Sequence, residues 1–369
     1  MAEGPVLIVG AGVVGLVLAQ ALKKQGIAFI IFDRDEHINA RGHGWGITIH
    51  WALEALKNCL PSSLFEKLNT IQVDPEQGRK DTGQFLFLNV KTAEPVFQIP
   101  PSPRLRINRE KFRKLLLEGI EVQWNKALEN FEVNNLGVVA SFKGGSRLPI
   151  RFLGATVKLT PSEIEPLRAF DPLLFQGCHP ETGTFLWFST LDTPEVNGSS
   201  GSNEYFSAQL NMSWPVKGPG DEVPASNEEK LKKMKEISST FETRLSTAIQ
   251  RIPDDTEIME IRLADWPCLH WPSSDGKVTL IGDAAHAMTM YRGEAANHGI
   301  TDALDLCQSL TAMAKDGKSL KPRIHEFETE MRERTSWAVL MSRQACLDAH
   351  DFSSLNADSA ILARRAVKA

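Results

Sequence analysis

Val6-Leu7-Ile8-Val9-Gly10-Ala11-Gly12-Val13-Val14-Gly15, together with the chain that follows it to Asp33, decides the fold. The apolar run at residues 5–9 ends in glycine and reads as a buried parallel strand. Residues 13–25 follow with helical spacing, placing Val14, Leu18, Ala21 and Leu22 on one face. Gly26 stands where a helix stops. Residues 27–32 (IAFIIF) are a second buried strand, so the segment reads β-turn-α-β. Its glycines form G-x-G-x-x-G. Gly10 permits the tight turn, Gly12 lets the backbone approach a pyrophosphate, and Gly15 allows helix to pack closely on strand. The amides at the helix start then face an anion. Asp33, at the end of the second strand, is placed to accept hydrogen bonds from a ribose. A tight turn without a ligand is the alternative, and the segment alone does not separate FAD from NAD.

Working outward, the chain has 369 residues, enough for two or three units at roughly 150 residues each or for one composite fold. With 42% hydrophobic and 24% charged residues, it excludes overall disorder and a disulfide miniprotein. Lys plus Arg number 41 against 46 Asp plus Glu, a net charge of −5 with no basic block. That argues against a nucleic-acid partner. Cys59, Cys178, Cys268, Cys307 and Cys346 are odd in number and widely spaced, with no C-x-x-C. They read as reduced thiols, with neither a disulfide framework nor a metal site expected. No apolar run approaches the ~18 residues of a membrane span. The run near Met1 leads into glycines and not a signal-cleavage region. Val367-Lys368-Ala369 matches no simple targeting signal. A cytoplasmic protein is the expectation.

Further along, residues 51–60 look helical, with Leu53, Leu56 and Leu60 on one stripe. Residues 84–90 and 94–99 suggest a hairpin around Lys91–Ala93. Residues 108–118 form a strong helix with Asn108 as N-cap, and 121–125 and 137–143 read as strands. Residues 171–225 are rich in Gly, Pro and Ser, with short aromatic runs that suggest a β-rich unit. Ser226-Asn227-Glu228-Glu229 has capping-box spacing and opens a helix carrying Leu231, Met234, Ile237, Phe241 and Leu245 on one face. Residues 277–281 (KVTLI) read as another buried strand. Helical segments follow at about 299–314 and 323–349.

That last strand delivers Gly282-Asp283-Ala284-Ala285-His286 to a loop that becomes a helix. An aspartate there can hold a sugar-alcohol hydroxyl, although an ordinary helix cap is the plainer reading of the motif by itself. The combination of G-x-G-x-x-G and a distant GDAAH is specific. With it, the chain resembles the single-component FAD-dependent monooxygenases of the para-hydroxybenzoate hydroxylase class. The stretches MTMYRGEAANHGITDAL and LFQGCHPETGTFLWFSTLD resemble its fungal secondary-metabolism branch. The likeness covers most of residues 5–350. It implies an α/β fold: a Rossmann-like FAD-binding domain with an inserted β-rich substrate domain. The FAD domain would use residues 1–83, 104–150 and 272–350, and the substrate domain 84–103 and 151–271. Residues 351–369 would be a tail packed on the surface.

The resemblance also implies roles. Gly10, Gly12 and Gly15 would bind the ADP pyrophosphate and Asp33 the adenosine ribose. Gly46 would lie beside the cofactor, Arg109 would contact FAD, and Asp283 would hold the ribityl chain. Ala296 and Asn297 would turn backbone amides toward the flavin pyrimidine edge, where helix-start amides stabilise negative charge. NAD(P)H would reduce the flavin. A flavin C4a-hydroperoxide would then hydroxylate or epoxidise an aromatic or polycyclic small molecule, with no side-chain nucleophile needed. Tyr291, Arg292 and Tyr205 are the catalytic candidates: either tyrosine could hydrogen-bond or deprotonate a phenol or indole, and Arg292 could pair with an anion. His286 is expected to be structural, and residues 185–188 to pack the sheet more than line a pocket, with Trp187 and Trp214 as weaker pocket candidates.

Three features depart from the family pattern. An internal Asp-Gly segment of roughly thirty residues, judged against usual domain size, is missing near 148–151. Gly293-Glu294-Ala295 stands where G-x-G is usual, so a methyl group would crowd the site if position 295 needed φ > 0. Thr289-Met290 replaces prolines. The alternative that follows is a flavin-binding relative with impaired reduction, doing non-redox chemistry such as cyclisation or isomerisation or inactive through the missing segment; a plain NAD-dependent dehydrogenase is a third reading, against which GDAAH argues.

Overall fold

The computed structural model describes residues 4–40, 44–81, 83, 85–99, 102–128, 146–271, 273–316 and 319–363. The first unit follows the sequence reading. β1 (Val6–Val9) leads through the glycine turn into α1 (Val13–Lys24) and back to β2 (Phe29–Phe32), which pairs parallel with β1. β3 (Gly46–Ile49) follows, then α2 (Leu53–Cys59), α3 (Ser62–Lys67) and α4 (Pro75–Lys80). β4 (Phe85–Asn89) and β5 (Pro95–Ile99) form the hairpin expected there. β6 (Leu105–Asn108) pairs antiparallel with β3 and runs directly into α5 (Arg109–Leu116). The Asn108 side chain caps α5 by accepting from the Glu110 and Lys111 amides. β7 (Val122–Gln123) then joins the far side of β2, giving the order β1-β2-β7. The strand expected at 137–143 lies outside the described residues.

β8 (Ser146–Arg147) precedes β9 (Ile150–Leu159), α6 (Pro161–Arg168), β10 (Leu174–Cys178), β11 (Phe185–Asp192), α7 (Pro194–Asn197) and β12 (Phe206–Pro215). α8 (Asn227–Ser238), α9 (Thr243–Gln250) and β13 (Ile258–Glu260) complete the second unit. Its seven-stranded sheet has the order β13-β9-β12-β11-β10-β4-β5. Strand alternation gives the sheet two faces. One is apolar, with Leu86, Phe175, Phe188 and Leu210 packed on α6, α8 and α9. The other carries Gln176, Trp187, Ser189, Asn211 and Ser213, alternating with the first set. The single apolar stripe expected from 226 is split into two helices. Ser226 and Glu229 form the expected capping box, but Glu242 caps a new helix by accepting from Arg244 N, and Phe241 turns into the core.

β14 (Ala264–Asp265) pairs with β8. α10 (Asp283–His286), α11 (Ala295–Asp316) and α12 (Leu320–Asp348) close the chain over the first unit. The strand expected at 277–281 does not form. Among the described residues β1 pairs only with β2, so no ladder is present for residues 277–281 to join. Leu7 is 63% and Val9 55% exposed, an unusual state for apolar residues of a parallel strand. The C-terminal segment also differs from expectation. Ala360, Ile361 and Leu362 are buried beside Phe87, Phe185 and Tyr291, so this part of it is core and not a surface tail. All five cysteines are buried free thiols, and no described helix is long and apolar enough to cross a membrane.

Candidate active site

The glycine turn divides its work among three residues. Gly10 has φ +108, a conformation that side chains resist. A Cβ on Gly15 would lie 2.0 Å from the Gly10 carbonyl oxygen, so helix α1 sits on its strand only because Gly15 has none. Gly12 is extended and meets nothing within 4 Å, leaving its surface open. No side chain caps α1, so its first amides remain available to an anion. Asp33 is buried at the end of β2. Its two carboxylate oxygens accept from the Ala11 amide at 2.6 Å and the Asp35 amide at 2.9 Å, so any ribose contact uses their remaining lone pairs. The sequence reading missed Arg113, whose guanidinium donates twice to Ala11 O and once to Ile38 O. It ties α5 to the turn, and only its spacing from Arg109 on one helix hinted at this.

A cavity of about 1590 Å³ opens from this turn. That exceeds the roughly 300–1,000 Å³ of a single small-ligand pocket. Gly10, Gly12, Gly15, Gly46, Arg109, Asp283 and Ala296 all line it. The Arg109 guanidinium lies 4.6 Å from the Trp45 ring centroid. Asp283 faces the opening. Its surroundings still push the carboxyl above its ordinary range, against the pull of His286 and Arg109. Gly46 has a role the sequence did not signal: a Cβ there would come within 2.6 Å of the Arg106 guanidinium.

The departure at Gly293-Glu294-Ala295 carries no backbone strain. Gly293 takes the left-handed turn with φ +64, whereas Ala295 is the first residue of α11 and has no positive φ. Asn297 is fully buried, and its side chain is spent on the scaffold. It accepts from His50 N and donates to Thr48 O, locking β3 to α11. Thr289 replaces a rigid proline with a hydroxyl that donates to Ser342 O in α12. Behind the GDAAH loop, Asp302 receives Gly282 N at 2.8 Å, Arg334 at 2.8 Å and the His286 ring at 2.7 Å. Burial would push Asp302 up, but His286 and Arg334 hold it below its usual range. Burial and Arg334 drive His298 down to about 3, so it is neutral. His286 thus sits in a buried scaffold network.

Of the catalytic candidates, the neighbours Tyr291 and Arg292 both line the cavity. Tyr291 lines the cavity, but its hydroxyl donates to Ser213 Oγ at 2.9 Å. Ser213 meets His350 Nε2 at 2.9 Å, and His350 Nδ1 meets Cys346 O. Burial lowers His350 to about 4, which fixes the neutral ring and the direction of this relay. Burial also pushes the Tyr291 phenol well above its ordinary value, which disfavours a phenolate base. Arg292 is 2% exposed; it pairs with Glu294 at 2.7 Å and holds Ala360 O, so it anchors the C-terminal segment. Tyr205 lies outside the cavity lining, with the Lys158 ammonium 4.6 Å from its ring. Trp214 is buried on the apolar face and donates to Asp221 O, whereas Trp187 lines the cavity.

Sequence reading also missed Arg106. It is 4% exposed on β6 and donates to Thr48 Oγ1 at 2.8 Å and Ser189 Oγ at 2.7 Å. Burial pulls its guanidinium down to about 9, still charged at neutral pH. A lone arginine in an alternating strand was the available signal.

Comparison with known proteins agrees with this geometry. The profile described as "FAD binding domain" matches residues 202–342, and "NAD(P)-binding Rossmann-like domain" matches 8–69. FAD-dependent monooxygenase dbaB of Emericella nidulans is 42% identical over 84% of this chain and 87% of its own length. An Arthroderma benhamiae protein described as a probable FAD-dependent monooxygenase is 38% identical over 98% of this chain and 95% of its own. The fold is also that of 2,6-dihydroxypyridine-3-hydroxylase from Arthrobacter nicotinovorans, with a TM-score of 0.74 at 15% identity over 99% and 98% of the two chains. With a glycine turn, an Asp283 loop and a helix start on one cavity, and with relatives this similar, the chain belongs to the FAD-dependent monooxygenases.

Proposed function

We propose that this chain inserts one oxygen atom of O2 into an electron-rich aromatic or polycyclic natural-product intermediate, by hydroxylation or epoxidation, with the second atom leaving as water. The supporting observation is one continuous cavity reaching from the uncapped start of α1, past Asp283 and Ala296, to the polar face of the seven-stranded sheet. Its residues fit FAD: the open surface at Gly12 and the free amides of α1 suit a pyrophosphate. Gly10, Gly12 and Gly15 line that end, Asp33 stands behind it on the Ala11 amide, and Arg109 and Asp283 also line the cavity. The start of α11 at Ala295 and Ala296 presents a positive helix end to the same space. Bound FAD supplies the redox chemistry, taking hydride from NAD(P)H and passing electrons to O2. The chain's own task is to orient the substrate on the sheet face and keep water from the reaction. Buried reduced thiols support a cytoplasmic setting.

We also propose that a segment of the sheet is missing between β1 and residues 278–281. The exposed Leu7 and Val9 and the unformed strand at 277–281 support this. So does an alignment with the Arthroderma benhamiae relative that runs 410 positions, longer than the 369-residue chain. The test is NAD(P)H consumption by the FAD-loaded protein across a panel of phenols and indoles, with heavy-isotope O2. Label in the product supports the reading, and substrate-independent oxidase activity alone overturns it.

A further inference from the structure

We propose that the outer face of α12 pairs with the same helix of a second copy of this chain, as a short parallel seam about a two-fold axis. The inner face of α12 is spent within the chain. Ile324, Phe327 and Met331 share the core of the first unit, and Ala345 and Cys346 sit in the cluster that holds Tyr291. The outer face of a surface helix normally carries charged and polar residues. Here Trp337, Leu340 and Leu347 are 42%, 49% and 39% exposed. They are three of the nine large apolar side chains exposed among the described residues, so the apolar exposure is concentrated on this helix.

The spacing says what kind of element covers them. Trp337, Leu340, Gln344 and Leu347 follow at intervals of three, four and three residues. That is the a/d pattern of a heptad, in which each side chain fills a hole between four side chains of a facing helix. A stripe this narrow is a helix–helix seam; the face a helix lays on a sheet is broader. Glu330 and Glu333 continue the stripe toward the helix start and are exposed, so the apolar seam begins at Trp337. The exposed Leu269 adds to its rim, because the carbonyl of the neighbouring Cys268 accepts from Ser336 Oγ.

The charges favour a second copy, and a parallel one. With Trp337 at position a, Arg343 falls at g on one flank of the seam and Asp348 at e on the other. In a parallel pair, a g residue meets the e residue five positions further along the facing helix. Each Arg343 then faces Asp348 of the other copy, and the two-fold axis makes that contact twice. Arg343 holds Asp265 through Nε and Nη2, which leaves Nη1 to donate. An antiparallel pair centred on the seam would set the two Arg343 side chains against each other. In the parallel pair the polar Gln344 meets its own copy, and an amide that both donates and accepts fixes the register.

Sedimentation velocity of the FAD-loaded protein over a wide range of concentration reads the association. The expectation is a reversible monomer–dimer equilibrium. Leu340→Glu buries a charge in the seam and raises the dissociation constant at least about tenfold, with flavin absorbance retained. Val96→Glu, at an exposed position on β5, changes it less than about twofold. All five native cysteines are buried, so Gln344→Cys adds a lone accessible thiol. With oxidised glutathione as the electron acceptor, two such thiols lose two electrons and two protons and join the copies by a disulfide; Val96→Cys does not crosslink. A protein that stays monomeric throughout, or a dimer that Leu340→Glu leaves intact, overturns the proposal. So does a dimer that Leu340→Glu breaks but Gln344→Cys fails to crosslink, since its helices would not be parallel and in register.

Discussion

Gly12 and Gly15 lie three residues apart on the same turn, and the structure gives them opposite vulnerabilities. A methyl group at Gly15 must displace the Gly10 carbonyl. Gly15→Ala should therefore destabilise the apoprotein by about 1–3 kcal/mol, the usual cost of overpacking. Gly12 has open space and an extended backbone that any residue adopts. Gly12→Ala should leave apoprotein stability within about 0.5 kcal/mol yet weaken FAD binding at least about tenfold. Denaturant unfolding and flavin titration of the two variants separate these effects. The histidines give a second prediction. Burial lowers His298 from 6.5 to about 3 and His350 to about 4. Each binds a proton more readily when unfolded, so stability is full above pH 6.5 and falls as pH drops toward those values, by up to about 1.4 kcal/mol per pH unit for each. A His350→Asn variant should show a shallower acid slope in urea titrations between pH 6.5 and 4, and an unchanged slope contradicts the assignment. The glycines were readable from sequence because their spacing is the chemistry. Arg106 and Arg113 were not, since Arg106 acts on Ser189, 83 residues away, and Arg113 on Ala11, 102 residues away.

At the scale of elements, α5 is the joint between the two halves of the site. Its first residue is Arg109, its buried face carries Arg113, and its cap is Asn108. Asn108 also donates to Leu191 O on β11, linking the helix start to the sheet. Asn108→Ala should cost about 1 kcal/mol for the cap and weaken FAD binding as well, which thermal shift with and without FAD would resolve. Elements marked by local signals were legible: the capping box at Ser226, the N-cap at Asn108 and the hairpin at β4–β5. The strand at 277–281 was not, because an apolar run becomes a strand only when a partner supplies its ladder. The break between α8 and α9 was hidden by a stripe that runs on in phase.

Across the whole molecule, α11 and the first half of α12 share the core of α1, the C-terminal segment packs beside Phe87, Phe185 and Tyr291, and Arg292 ties residues 292–294 to Ala360. Removing that cation leaves Glu294 buried alone, so Arg292→Ala should cost about 3–5 kcal/mol and make the C-terminal segment susceptible to proteolysis. The sequence showed the cofactor end of the cavity because its motifs are contiguous. The substrate end is built from β3, β6, β10 and β11, brought together only by folding. One measurement tests the central claim most directly: the visible absorption spectrum of the FAD-reconstituted protein before and after anaerobic NADPH. A bound-flavin spectrum that bleaches is the predicted result. Folded protein that takes up no flavin, or bound flavin that NADPH leaves oxidised, would contradict the claim that this chain works as a monooxygenase.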